Sequence, residues 1–260
     1  MKALIYSDLH LNPKVLMDAF HRNKFKRILQ LDKKEYDIVI ISGDVVESSI
    51  MNCVENPLEK IYEIFNSDVV FCLGNHEFAF RDHSQVLKWW AQWKHPHVHC
   101  LDIEGHFEKD QYRFIGNVLW YDFSLNKCRQ LMKGEIIDGW LDATIENFDP
   151  LIENEKCVKQ IFDNCSFNKN IKHVLVTHTV PHIDLNTFSK ETPNSPYNAY
   201  SGMERFILDI QDRGINLTNA ICGHTHRREC KTIWDVDCIN IGNDYFHKTG
   251  HYTHMFLDLN

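Results

Sequence analysis

Hydrophobic residues along this chain fall into two alternating patterns. Short apolar runs bounded by polar residues predict strands at Ala3–Ser7, Asp37–Ser42, Val69–Leu73, Arg113–Trp120, His173–Thr177 and Ala220–Cys222. Ile38-Val39-Ile40-Ile41 is apolar on both faces, as a strand covered on both sides requires. Between these runs the apolar spacing becomes helical. Asn56-Pro57 opens a helix with Leu58, Ile61 and Phe65 on one face, and Asp82 caps one carrying Val86, Leu87, Trp90 and Trp93 before Pro96. Asp149-Pro150 starts a third, with Leu151, Ile152, Val158, Ile161 and Phe162. Ser201 starts a fourth, with Met203, Phe206, Ile207 and Ile210 inward and Gly214 past its end. Beyond residue 226 the period becomes two, predicting antiparallel strands at Lys231–Ile241 and Tyr252–Leu259 that finish a sheet. Strands alternating with helices indicate a layered α/β fold. No repeat or linker interrupts residues 1–260, which read as a single domain. Asp184–Asn198, rich in Asn, Ser, Thr and Pro, is the longest irregular stretch, and loops of that length usually serve function.

Polar residues able to bind metal sit where the apolar runs stop. The first run ends in Ser7-Asp8-Leu9-His10, the second in Ser42-Gly43-Asp44 and the third in Leu73-Gly74-Asn75-His76-Glu77. The fifth ends in Thr177-His178 and the sixth in Gly223-His224-Thr225-His226. Each fragment alone has a bland reading as a turn or a surface histidine, in a chain with 16 histidines. Together they are harder to dismiss, because ligands of open α/β sheets gather beyond the carboxyl ends of strands. Imidazole and carboxylate side chains converging there make a metal site.

The set resembles the calcineurin-like metallophosphoesterase superfamily, whose signature runs Asp-x-His, Gly-Asp, Gly-Asn-His-[Glu/Asp], His, Gly-His-x-His. All five fragments are present between residues 8 and 226. The resemblance implies a four-layer α/β/β/α sandwich of two mixed β-sheets flanked by helices. It implies that Asp8, His10, Asp44 and His226 hold one divalent metal, and that Asp44, Asn75, His178 and His224 hold a second, with Asp44 bridging. His76 would face the substrate as general acid, while a hydroxide shared by both metals attacks phosphorus. Asp8 and Glu77 are the candidates for fixing the His76 tautomer. Mixed oxygen and imidazole donors suit Mn²⁺, Fe or Zn²⁺ better than Mg²⁺ or Ca²⁺, and the resemblance, many of whose members use Mn²⁺, favours that ion.

Composition and local sequence narrow the substrate. The formal charge of −8 repels polyanions, so no stable complex with long nucleic acid is expected. Protein phosphatases of the superfamily carry Asp-Arg-Gly, whereas Asp44 here precedes Val45-Val46-Glu47. Lipid-precursor pyrophosphatases replace the His of Gly-Asn-His with Arg and carry an apolar lid, neither of which is evident. A small phosphodiester of nucleotide or cyclic nucleotide type is the expected substrate. The alternatives are a phosphomonoesterase or protein phosphatase, a small nuclease, or a non-catalytic metal-bound scaffold. Arg81, His182 and Arg227 are weak candidates for substrate contacts, with Lys190 and Arg228 weaker still. Trp120-Tyr121-Asp122-Phe123 could stack on a base or pack in the core. His95, His97 and His99, and likewise His247, His251 and His254, read as structural. Nine scattered cysteines without a Cys-x-x-Cys pair, no signal-like start and no membrane-length apolar run predict a cytoplasmic chain.

Overall fold

The structure, a computed structural model, describes residues 1–11, 36–46, 56–186, 191–242 and 254–259. The strands are β1 (Lys2–Tyr6), β2 (Ile38–Ser42), β3 (Asp68–Cys72), β4 (Val98–Cys100), β5 (His106–Lys109), β6 (Tyr112–Asn117), β7 (Lys172–Thr177), β8 (Leu217–Cys222), β9 (Glu229–Ile233), β10 (Val236–Asn240) and β11 (Met255–Asp258). They form two sheets, ordered β11-β1-β2-β3-β4 and β5-β6-β7-β8-β10-β9. Strands β1 to β4 run parallel, with β11 antiparallel on the edge. In the second sheet β6, β7, β8 and β10 are parallel, and the edges β5 and β9 are antiparallel.

Side-chain alternation explains why the sheets stack. One face of the first sheet presents Ala3, Ile5, Ile38, Ile40, Val70 and Cys72 to Phe114, Val174, Val176, Ile221 and Ile239 of the second. The opposite face, with Leu4, Tyr6, Val39, Ile41 and Phe71, takes Leu58 and Ile61 of α1 (Pro57–Phe65). On α3 (His83–Gln92), which follows α2 (Asn75–Phe78), Val86 and Trp90 pack there as well. The outer face of the second sheet packs Leu175, Ala220 and Val236 on further helices. Those are α5 (Pro150–Asp163) and α6 (Phe206–Asp212), α4 (Leu101–Glu104) lying between α3 and α5 in sequence. This is the α/β/β/α sandwich that the resemblance implies, and both faces of the apolar strands are buried as their sequence requires. Full burial of each such side chain stabilises by about 1.5–3 kcal/mol.

Several caps form as the sequence indicates. The Asn56 side chain accepts from the Leu58 amide, Asp82 from Gln85, and Asp149 from Leu151 and Ile152. Three elements differ. Strand β6 stops at Asn117, short of Trp120, because the Asn117 side chain takes the Leu119 amide and Asp102 takes that of Val118. Helix α6 starts at Phe206, five residues after Ser201. Val180 pairs with the Ser201–Met203 backbone and holds it extended through Gly202 at φ +148°. Lys231–Ile241 is a hairpin, turned at Trp234 and Asp235, both in the left-handed region. Its second strand runs parallel to β8, and β11 closes the other sheet, so the two expected strands finish different sheets. Lys190, His247, His251 and Tyr252 lie outside the described residues.

Candidate metal centre

Because β1, β2 and β3 are parallel, as are β7 and β8, their carboxyl ends open on one side of the sandwich. The chain leaves those ends through sharp turns. Asp8, His10, Asp44, His224 and His226 all adopt positive φ, between 43° and 68°. That region costs an L-residue about 1–3 kcal/mol, and such strain collects at functional sites. Hydrogen bonds hold it: the Asp8 amide donates to the Gly43 carbonyl at 3.1 Å and the His10 amide to that of Asp44 at 2.9 Å. Gly43, at φ +79°, could not be any other residue, since a Cβ there would run into the His178 ring. At Gly223 a Cβ would collide with Ser7 and Asp8, where the second sheet meets the first.

His178 is the centre of the deeper half. Its Nδ1 donates to the Ser42 carbonyl at 3.1 Å, which fixes Nε2 as the acceptor of the neutral ring. His224 Nε2 donates to the Tyr200 carbonyl at 3.0 Å, so its Nδ1 is likewise an acceptor. Asn75 donates through Nδ2 to Asp142 Oδ1 at 2.8 Å and turns Oδ1 inward. His178 Nε2 therefore faces Asn75 Oδ1 at 3.1 Å, His224 Nδ1 at 3.1 Å and Asp44 Oδ2 at 3.3 Å. Four acceptors converge at one buried point. A cation satisfies such a cluster, and its donor atoms are oriented by outer contacts as metal ligands usually are. The residues therefore fit a divalent ion.

The shallower half holds Asp8, His10 and His226, whose donor atoms lie within 4.8 Å of one another. His226 Nε2 is 3.8 Å from Asp8 Oδ1, and the His10 and His226 rings are stacked at 5.4 Å. Asp44 joins the halves, its Oδ2 being 3.8 Å from His10 Nε2 and 3.3 Å from His178 Nε2. All seven expected ligands thus meet in one centre, in two groups linked by Asp44. His76 lies on the open side. Its Nε2 is 3.8 Å from Asp44 Oδ2, its amide donates to Asp44 Oδ1 at 3.0 Å, and its side chain is 17% exposed against 0% for His178.

The electrostatics match that geometry. Burial alone would raise Asp44, but the facing imidazoles of His178, His76 and His10 hold it well below the usual carboxylate range. Burial would lower His178, yet Asp44 lifts it to about 10. A proton on Nε2 is thus the simplest cation that meets the four-acceptor cluster. Desolvation and the charge of His178 push His224 down to about 3, which keeps it in the neutral form that ligates metals.

Sequence reasoning missed the groups behind the ligands. Asp142, on the 3-10 turn Leu141–Thr144, accepts from Asn75, from the Tyr121 hydroxyl at 2.9 Å and from Trp140 Nε1 at 3.0 Å. Asp102 accepts from the Leu73 and Val118 amides, and burial raises it to about 7. Glu77 does not turn to His76. Its oxygens take the Val46 and Gly74 amides, while burial and then the Asp44 charge raise it to about 8. Asp8 accepts from Ser7 and the His224 amide, and the Asp44 carboxylate lies 3.8 Å from His76 Nε2. Trp120, Tyr121 and Phe123 are buried in the core and offer no face to a base. His182 is buried, and its Nδ1 accepts from the Asp184 amide at 3.2 Å. Arg227 pairs with Glu191 at 3.4 Å on the surface. The Arg81 backbone is bonded to Phe78 and Glu146, with its side chain half-buried.

Known proteins place this geometry. A model of the calcineurin-like phosphoesterase family matches residues 1–228. No curated protein matches the sequence. Among solved structures, a phosphopantetheinyl hydrolase from Mycobacterium tuberculosis superposes with a TM-score of 0.69 at 14% identity, over 100% of this chain and 96% of that one. A dimetal phosphatase from Danio rerio gives 0.55 at 14% identity, over 98% and 91%. The Thermus thermophilus protein TT1561 gives 0.52 at 13%, over 93% and 88%. At these identities the likeness is one of fold. Five matching strand ends, a cation-demanding cluster of Asp, Asn and His donors, and a family match over most of the length agree: this chain belongs to the calcineurin-like phosphoesterase family.

Proposed function

We propose that this metal-dependent phosphoesterase hydrolyses a small phosphodiester of nucleotide or cyclic nucleotide type, with His76 as general acid. The observation that carries the reading is the convergence of Asn75 Oδ1, His224 Nδ1 and Asp44 Oδ2 on His178 Nε2, beside the Asp8–His10–His226 group. Asp8, His10, Asp44 and His226 would hold one cation, and Asp44, Asn75, His178 and His224 the other. Bound there, two divalent ions, Mn²⁺ by preference, would orient the phosphoryl oxygens, offset their charge and activate water. The chain's own residues do the rest. Ser42, Tyr200 and Asp142 hold the ligand atoms in place, so no reorganisation is needed as charge develops. His76 stands on the exposed side of Asp44, where its ring can deliver a proton to the departing alkoxide.

Charge supports a diester. A monoester dianion needs an extra cation to grip its further oxygen, and the following residues, Val45 and Val46, are buried and apolar. Among the described residues, no Lys or Arg lines the pocket beside His224 and His226. An ester with a single negative charge suits such imidazole-rich surroundings. The test compares bis(4-nitrophenyl) phosphate with 4-nitrophenyl phosphate, each with Mn²⁺, in the wild type and in His76→Ala. The diester should be the better substrate, and His76→Ala should lower its kcat by about 10²–10⁴-fold with metal still bound. Undiminished turnover in His76→Ala would remove that residue from the chemistry.

A further inference from the structure

Beside the metal ligands lies a cavity of about 240 Å³, lined by Trp140, Tyr197, Ser201, His224, Thr225 and His226. Two of its lining residues, His224 and His226, are proposed metal ligands, so a substituent of a phosphoester seated at the centre is within reach of it. The opposite wall is aromatic. Trp140 and Tyr197 have ring centroids 5.2 Å apart, tilted by 35°, and Trp140 is stacked on the buried Tyr200 at 5.3 Å. The Trp140 ring is fixed by its Nε1–H bond to Asp142, the same carboxylate that orients Asn75. Tyr197 arrives on the 3-10 turn Pro196–Tyr200 and is 43% exposed, so its ring is open to a ligand.

With the phosphoester reading as its basis, we propose that Trp140 and Tyr197 form the specificity subsite, and that it takes a neutral planar ring carried on the phosphoryl group. Among the described residues no Lys, Arg, Asp or Glu lines the cavity, so none of them offsets the charge of a second phosphate. Its volume is below the roughly 300–1,000 Å³ of sites for drug-sized ligands, so it holds one ring system and not a long acyl chain or a peptide. Rings that stack on aromatic side chains lose much of their affinity when the platform is removed, about 5- to 150-fold per ring. The turn Pro196–Tyr200 thereby gains a role, since it delivers Tyr197 to the cavity and the Tyr200 carbonyl to His224 Nε2.

The experiment is calorimetric, on Mn²⁺-loaded protein, with three phosphonate monomethyl esters, each singly charged like a diester, that differ in one substituent: phenyl, cyclohexyl and methyl. The phenyl compound should bind the wild type at least about tenfold more tightly than the methyl compound, and more tightly than the cyclohexyl compound. Tyr197→Ala, which leaves the Asp142–Asn75 contact in place, should collapse the phenyl-to-methyl ratio toward one while metal content is retained. Trp140→Phe should keep more of the ratio than Trp140→Ala, because it retains a ring. A wild-type ratio near one, a ratio unchanged in Tyr197→Ala, or cyclohexyl equal to phenyl would each overturn the ring subsite and leave the phosphoester reading intact. Failure of all three phosphonates to bind the metal-loaded protein would overturn both.

Discussion

Asp142→Asn separates the metal from the fold with little change in shape. The buried carboxylate accepts from Asn75 Nδ2 on one oxygen, and from the Tyr121 hydroxyl and Trp140 Nε1 on the other. An asparagine offers one acceptor and one donor face. Pointing its nitrogen at Tyr121 and Trp140 sets it against two donors, so it points its oxygen there and its nitrogen at Asn75. That single conflict is relieved if Asn75 flips, presenting Oδ1 to the new amide and Nδ2 to His178 and Asp44. The fold keeps its hydrogen bonds, and stability changes by about 1 kcal/mol or less. The centre instead loses a ligand oxygen. Removing such an outer contact typically costs about 10–100-fold in metal affinity, or about 1.4–2.7 kcal/mol. Asp142→Ala is the contrast, because it strands the Tyr121 and Trp140 donors at about 1–3 kcal/mol each and lowers Tm. Titrating chelator-stripped protein with Mn²⁺ by calorimetry, alongside thermal melts, reads both quantities. Wild-type affinity for both ions in Asp142→Asn, or equal loss of Tm in the two variants, would refute the reasoning.

Metal binding should release a proton near neutral pH. His178 is lifted to about 10 by Asp44, above its ordinary value of roughly 6.5. A raised value means that the proton stabilises the metal-free fold fully below about pH 6.5 and that this contribution fades as pH climbs through 10. A cation must displace that proton, so apparent affinity should rise by about tenfold per pH unit above 7 until His178 titrates. Calorimetry in buffers of different ionisation heat measures the release, and buffer-independent heats would count against it. Gly43→Ala forces a Cβ into the His178 ring at φ +79° and should cost about 1–3 kcal/mol or more in thermal melts, with metal lost in parallel. Asp149→Ala removes the acceptor for the Leu151 and Ile152 amides and should cost about 1 kcal/mol with metal content unchanged. Loss of metal from that variant would show that the cap of α5 and the centre are coupled.

The site is legible in the sequence where chemistry is written in side chains at strand ends. Asp8, His10, Asp44, Asn75, His178, His224 and His226 follow apolar runs, and parallel strands then bring those ends together whatever the loops between them do. The groups that aim these ligands leave no such trace. Ser42 and Tyr200 act through backbone carbonyls, which carry no residue signature. Asp142 lies 67 residues from Asn75, on a short turn outside every apolar period. Helix α6 departs from expectation because a serine is a good cap in isolation, whereas pairing with Val180 holds Ser201–Met203 extended. The Trp120–Phe123 segment could have met solvent or core, and β6 ending at Asn117 turns it inward. The aromatic wall that does reach the centre, Trp140 and Tyr197, comes from two segments with no periodic pattern.

The most direct test of the account is a Mn²⁺ titration of chelator-stripped protein, with bis(4-nitrophenyl) phosphate hydrolysis followed at each addition. Two binding groups joined by Asp44 predict no turnover without metal and a rate that saturates at two equivalents per chain. Two equivalents bound with no phosphoester hydrolysed, or turnover undiminished in the stripped protein, would contradict it.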